Sequence, residues 1–326
     1  MEVIIGVDVG GTNTVIGVFD ENFNLLKKEN VSTVICKEKD GHDFFDYVAF
    51  HINRVKDSVS ISTSLRCVGM GIPGIVDTSQ GFAHAAVNMG WSELAFSDEM
   101  EKRLGAPVFI DNDVRVYTLG EAVAGSGKGA RNVVCVTLGT GIAAGVMIDG
   151  KIVSGSGFYA GEVGHDSCPG VSYVCKCGKV GCLETIASAT GIARLATDAI
   201  EEGKKSILQN IDGPITAFDV FCATEEGDQV SLDVFDYVGR TLGTKLVTIS
   251  YLLNPEKIIV GGGAAAAGDT LLNPIRQMFQ EQYRYEGQTP QIVTGSLGDR
   301  AGLVGAAHLA SIRYEKLRKE ELEKVE

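Results

Sequence analysis

Between Gly161 and Glu184 the chain opens with Gly-Glu-Val-Gly-His and closes with Cys-Lys-Cys-Gly-Lys-Val-Gly-Cys-Leu-Glu. Three cysteines (Cys175, Cys177, Cys182), His165 and two carboxylates (Glu162, Glu184) fall within these 24 residues. A tetrahedral zinc ion needs four N or S ligands, and a C-x-C-x4-C cluster with a histidine upstream supplies three thiolates and one imidazole. Four protein ligands leave no position open for water, so the metal reads as structural, folding a loop that would otherwise lack a core. Gly178 and Gly181 suit a chain that must turn tightly round an ion. The competing reading is free buried thiols or a disulfide. Cys168, three residues after His165, leaves the fourth ligand open.

A second kind of chemistry is suggested by glycine turns between apolar runs. Asp8 lies near the end of the run Val3 to Val9, Gly10-Gly11-Thr12 follow, and a second run covers Val15 to Phe19. Paired glycines let backbone approach a phosphate, Thr12 adds a hydroxyl, and Asp8 can engage a magnesium ion through water. An ordinary hairpin turn fits the same residues. The pattern returns as Asn132 to Leu138, Gly139-Thr140-Gly141, Ile142 to Ile148, which implies a duplicated architecture with two such hairpins. Lys257 to Val260 runs into a third turn, Gly261-Gly262-Gly263, where a flat ring such as adenine can lie against bare backbone, although a plain strand-to-helix turn reads the same way.

Asp111-Asn112-Asp113 ends a strand predicted over Pro107 to Ile110, and the carboxyl ends of strands in α/β sheets are where ligands bind. A helix cap explains one of these residues, since Asp and Asn both cap well, and leaves at least one free for other work. The turn Pro73-Gly74 ends another strand, Cys67 to Ile72, at the same edge.

These groups need a large scaffold, and 326 residues exceed the size at which single cores stop growing, so two domains around a cleft are expected. Apolar content of 44% with 22% charged residues fits a globular protein, and 41 glycines against 7 prolines suggest tight turns and not disorder. A formal charge of −13 argues against a nucleic-acid surface. An anionic ligand must then be held locally by backbone amides, helix amino termini and a divalent cation. No stretch approaches an uncharged membrane span, and the amino terminus carries no basic leader region, so a cytoplasmic protein is expected. Eight cysteines in that setting suggest reduced thiols and metal binding.

Periodicity supplies the helices. Phe44, Val48, Ile52 and Val55 make one apolar face, and Val234, Val238, Leu242, Leu246, Ile249 and Leu253 a longer one that Asn254-Pro255 ends. Trp91, the sole tryptophan, reads as core. Gly125-Ser126-Gly127-Lys128-Gly129 lacks the spacing of a phosphate loop and reads as a connection. Gly298 to Ala307 makes a helix of small residues suited to close packing or a hinge, and the charged tail beyond Ser311 a solvated helix end.

Taken in order, Asp8-x-Gly-Gly-Thr, Asn112-Asp113, Leu138-Gly-Thr-Gly141, Gly161-Glu-Val-Gly-His165, Cys175-x-Cys-Gly-x-x-Gly-Cys-x-Glu184 and Gly261-Gly-Gly263 resemble the ROK family (repressors, open reading frames, kinases), and its glucokinase-like sugar kinases in particular. The resemblance spans nearly the whole chain. It implies an α/β, two-domain actin-like ATPase (ribonuclease H-like) fold with ATP and sugar in the interdomain cleft. The small domain would be 1–111 joined by the carboxyl-terminal helix at about 304–326, and the large domain 112–303 with the zinc loop 161–184. Carried over residue by residue, Asp113 is the catalytic base. Gly74, Asn88, Asn112, Glu162, His165 and Glu184 line the sugar, with His165 using its other ring nitrogen for zinc, unless the zinc ligand lies elsewhere in the motif. Asp8, Gly10, Gly11, Thr12 and Gly139-Thr140-Gly141 serve magnesium and phosphate, and Gly261 to Gly263 the nucleotide.

The implied activity is transfer of the γ-phosphoryl group of ATP to a hexose, glucose O6 first. Allose, mannose, N-acetylglucosamine and N-acetylmannosamine are the alternatives. Cofactors are ATP, Mg²⁺ and a structural Zn²⁺, and the partners sugar and ATP, with no nucleic acid, no membrane and a homodimer expected. A sugar-responsive repressor is the rival. It would carry a helix-turn-helix ahead of the kinase-like part, for which a strand starting at residue 3 leaves no room. Val114-Arg115-Val116-Tyr117, Asn88-Met89-Gly90-Trp91 and Cys168-Pro169 depart from the family pattern beside the sugar site, which bears on the hexose and not on phosphoryl transfer.

Overall fold

The apolar runs flanking Gly10 to Thr12 form β1 (Glu2–Val9) and β2 (Asn13–Phe19), an antiparallel pair in which Asp8 faces Val15. The computed structural model describes residues 1–34, 42–60, 62–86, 89–285 and 287–324. The chain divides into two units, one of residues 1–129, 154–159 and 299–326, the other of 130–153 and 160–298.

In the first unit β3 (Leu25–Ser32) pairs with β2, and β4 (Ser64–Ile72) runs parallel to β1 after α1 (His42–Asp57). A small sheet of β5 (Ile75–Asp77), β6 (Phe82–Ala86) and β7 (Trp91–Leu94) precedes α2 (Phe96–Leu104). Then β8 (Val108–Asn112) joins parallel to β4, giving the order β3-β2-β1-β4-β8, and α3 (Asp113–Ala124) follows. The predicted face of α1 is buried through Phe44, Val48, Ile52 and Val55. Trp91 is core, its ring edge-on to Phe44 with centroids 4.6 Å apart.

In the second unit β9 (Val133–Leu138), β10 (Ile142–Ile148) and β11 (Lys151–Ile152) form antiparallel pairs. After α4 (Glu184–Ala187), α5 (Ala189–Glu201), α6 (Ala217–Glu225) and α7 (Gln229–Leu253), β12 (Lys257–Gly261) returns parallel to β9. Past α8 (Asp269–Gln282), β13 (Gln291–Thr294) completes the order β11-β10-β9-β12-β13. The two sheets thus share one strand order and one pattern of antiparallel and parallel pairs, the duplication expected from the repeated glycine turns. Val234, Val238, Leu242 and Leu246 bury one face of α7, with Ile249 and Leu253 packed at its margin. Asn254 ends that helix in the left-handed conformation.

The last helix, α9 (Ala301–Glu323), belongs to the first unit. Its small residues serve close packing. A Cβ on Gly69 of β4 would lie 1.8 Å from the Ala306 carbonyl oxygen, and one on Gly305 1.8 Å from that of Val116 in α3. Because α3 and the sheet both close on α9, residues 112–129 group with the first unit, whereas the expected boundary fell at 111. No helix among the described residues is long and apolar enough to cross a membrane.

Candidate active site

In the first unit three parallel strands end level with one another, Asp8 in register with Gly71 and Gly71 with Asp111. Just past that carboxyl edge lie Gly10, Gly11 and Thr12, then Gly74, then Asn112 and Asp113. The β1–β2 turn is closed by Gly10 N–H donating to the Asn13 carbonyl at 2.9 Å, and Thr12 is exposed.

Asn112 caps α3. Its Oδ1 accepts from Val114 N (3.0 Å) and Arg115 N (3.2 Å), while Nδ2 donates to the Gly74 carbonyl at 3.0 Å. The amide therefore ties the Gly74 turn to the helix start and keeps one N–H for a ligand. With the cap filled by Asn112, Asp113 occupies the first helical position, partly buried, with Oδ1 accepting from Val114 N at 2.9 Å. Its carboxylate faces a helix amino terminus, which favours negative charge.

Asp111 is buried and committed. Arg115 Nε lies 2.6 Å from its Oδ1, and the guanidinium also donates to the carbonyls of Val76 (3.0 Å) and Phe158 (3.1 Å). The arginine that departs from the family pattern is thus an internal tie.

Asp8 is the electrostatic centre of this edge. Burial, then the carboxylates of Asp113 and Asp299, push its pKa up to about 7, against a smaller pull from Lys28. Space is tight as well: a Cβ on Gly302 would lie 2.1 Å from Asp8 Oδ2. Asp299 and Gly302 had been read only as parts of a small-residue helix. An acidic residue just ahead of that helix was the one available signal, and its nearness to Asp8 depends on α9 returning to the first sheet.

An acid whose pKa is raised by folding stabilises the folded state while protonated, and that contribution is lost as pH rises from the unfolded value of 3.8 through about 7. Asp8→Asn, neutral at every pH, is therefore expected to make the magnesium-free protein more stable at pH 8, on the order of 2 kcal/mol, and to change little near pH 4. Thermal melts without added magnesium, the zinc retained, at the two pH values check this. A variant less stable at pH 8 would show that the ionised carboxylate is favourably held.

In the second unit the Gly139-Thr140-Gly141 turn is closed by Gly139 N–H to the Gly141 carbonyl at 2.9 Å and anchored by the start of α5. Ala189 N donates to the Gly139 carbonyl at 2.9 Å, and Thr190 Oγ1 to the Thr140 carbonyl at 3.1 Å. Gly261 ends β12, and Gly262 and Gly263 lead into a short 3-10 turn, Gly263–Ala267.

The ligand atoms of His165, Cys175, Cys177 and Cys182 all lie within 4.8 Å of one another. Cys177 and Cys182 Sγ are 3.6 Å apart, and Cys175 Sγ is 3.7 Å from His165 Nδ1. Zinc–sulfur bonds of about 2.3 Å and zinc–nitrogen bonds of about 2.0 Å place tetrahedral neighbours roughly 3.6–3.8 Å apart, so these side chains fit the ion. Cys168, buried in the core, is not part of the group. His165 turns Nδ1 to the thiols and leaves Nε2 3.8 Å from Glu162 Oε2.

Glu184 links this cluster to the glycine turn. Its Oε2 accepts from Ile142 N–H at 3.1 Å and would meet a Cβ on Gly141 at 2.3 Å, while Oε1 lies 3.6 Å from Cys175 Sγ. Glu162 is exposed. Asn88 lies outside the described residues.

The model of the ROK family matches residues 4–313. The chain belongs to the ROK family. A glucokinase of Halalkalibacterium halodurans is 37% identical over 97% of both chains. A ROK family glucokinase of Streptomyces griseus, solved with glucose and AMPPNP, superposes with a TM-score of 0.78 at 32% identity, covering 95% of this chain and 99% of that one. A ROK family transcriptional regulator, a homologue of the E. coli Mlc protein, gives a TM-score of 0.87 at 28% identity over 96% of this chain and 78% of its own. The α/β architecture is that of ROK kinases with the actin-like ATPase fold, as the motifs implied.

Proposed function

We propose that this ROK protein is an ATP- and magnesium-dependent hexose kinase that transfers the γ-phosphoryl group to O6 of glucose. The observation that carries the reading is Asp113, a carboxylate at the first position of α3 beyond the carboxyl ends of parallel strands, with the neighbouring polar residues Asp111 and Asn112 taken up by Arg115 and by the helix cap. Similarity to glucokinases over almost the full length supports glucose as the acceptor.

Phosphoryl transfer asks a protein chiefly for positioning and charge stabilisation. Asp113 would accept the proton of the attacking hydroxyl. Asn112, Glu162, His165 and Glu184 would bind the other hydroxyls, and side chains that pair with each hydroxyl discriminate polyols well. Main-chain N–H groups of Gly10 to Thr12 and Gly139 to Gly141 would cradle phosphates. Magnesium, when bound with ATP, neutralises phosphate charge, and Asp8 is the residue to hold it through water. The fit of His165, Cys175, Cys177 and Cys182 supports one structural zinc per chain, with Glu184 and Glu162 positioned by the loop that it folds.

The test is turnover with ATP across glucose, mannose, allose, N-acetylglucosamine and N-acetylmannosamine, read as ADP release, with the glucose product assayed as glucose 6-phosphate. Glucose should show the highest kcat/KM. A preference for an N-acetylhexosamine would reassign the acceptor, and no turnover with any sugar would sink the kinase reading.

A further inference from the structure

A cavity of about 300 Å³ opens in the second unit beside the Gly261–Gly263 turn, between the start of α6 and the turn Gly263–Ala267. Five alanines, three phenylalanines, Gly263 and Thr216 line it. Phe235 forms a buried wall, and Phe218, 71% exposed, lines the cavity from the solvent side. Two of its borders are tied to the strand and turn that carry Gly139 to Gly141. Ala189 in its lining donates its N–H to the Gly139 carbonyl, and a Cβ on Gly262 would come within 2.8 Å of the Leu138 backbone. An apolar cavity of this size adjoining a glycine turn fits a nucleobase whose phosphates extend toward that turn.

Among the described lining residues Thr216 carries the one polar side chain, and it is already engaged. Its Oγ1 donates to Asp219 Oδ2 at 2.6 Å and accepts from Asp219 N–H at 3.2 Å, closing the capping box of α6. No further side chain among the described lining residues offers a hydrogen bond to the edge of a base. Rejection of one base in favour of another comes from built donors and acceptors that a wrong base leaves unpaired, whereas an apolar wall separates similar shapes poorly.

We propose that this cavity holds the purine of the phosphoryl donor by stacking alone, so that adenine, guanine and hypoxanthine nucleotides serve alike, with Phe218 the residue that sets donor affinity. The inference rests on the kinase reading for its function, but its binding arm stands apart from turnover. The dissociation constants of ADP, GDP and IDP, measured by calorimetry on the intact protein with magnesium, should agree within about threefold. Base-on-aromatic stacking is the main attraction, so Phe218→Ala should weaken all three by about tenfold and to the same degree. Phe218 is exposed, so its loss leaves the core intact. In turnover, ATP, GTP and ITP should give kcat/KM within about threefold.

ADP binding more than about thirtyfold tighter than GDP and IDP would overturn the proposal by revealing a base-edge contact. So would unchanged affinities in Phe218→Ala, or no binding of any of the three. Equal binding of all three with no sugar phosphorylated would refute the kinase reading and support base indifference.

Discussion

Replacing Asp113 with asparagine is expected to lower kcat by about 10²–10⁴-fold while leaving glucose and nucleotide affinity close to those of the unaltered protein. Asparagine keeps the shape and can still accept the Val114 N–H at the start of α3, so the fold of that helix is unaffected. It cannot take a proton. A loose, metaphosphate-like transition state postpones proton removal, which places the lower end of that range within the expectation. The cap is made by Asn112, so a capping role for Asp113 does not compete in interpreting the result. Steady-state rates with calorimetric glucose binding on the same variant make the test. Retention of more than about a third of kcat would hand the base role to Glu162, because Asp111 is held by Arg115.

The second large effect concerns the metal. Purified protein should carry about one zinc per chain, and Cys182→Ser should bring it below ~0.2 equivalents. Structural zinc sites contribute folding free energy outright, so the variant should melt ten degrees or more below the parent. Activity should fall with the metal, because Glu184 sits within 3.6 Å of Cys175 and hydrogen-bonds the β10 amide beside the phosphate turn. Metal content by mass spectrometry, melting temperature and kcat/KM report separately. Full activity at the original melting temperature without zinc would make the cluster an incidental gathering of thiols.

Features carried by local pattern were legible in the sequence. The two glycine turns between apolar runs announced the duplicated sheets, the period of α7 announced its buried face, and the cysteine spacing gathered its own four donors. What escaped was set by contacts between distant residues. Arg115 looked like a change to the sugar pocket because its partners at Val76 and Phe158 are brought near only by the fold. Asp111, Asn112 and Asp113 looked alike as three polar residues in a row. Burial, capping and the helix start divide them into an ion pair, a capping amide and a partly buried acid at the first helical position, and none of these is encoded by residue type. Asp299 joined the Asp8 edge through the return of α9, which no local pattern reveals.

That return also orders events during synthesis. Gly6 of β1 and Gly69 of β4 face α9, yet α9 begins at Ala301, after the whole second unit has been translated. The ribosome therefore releases β1, β4 and α3 well before the helix that closes over them exists. Chains grow at roughly 5–20 residues per second, so the first sheet waits many seconds with its small-residue groove uncovered. The second unit, nearly continuous in sequence, can fold during that wait, which makes the first unit the later one to be completed.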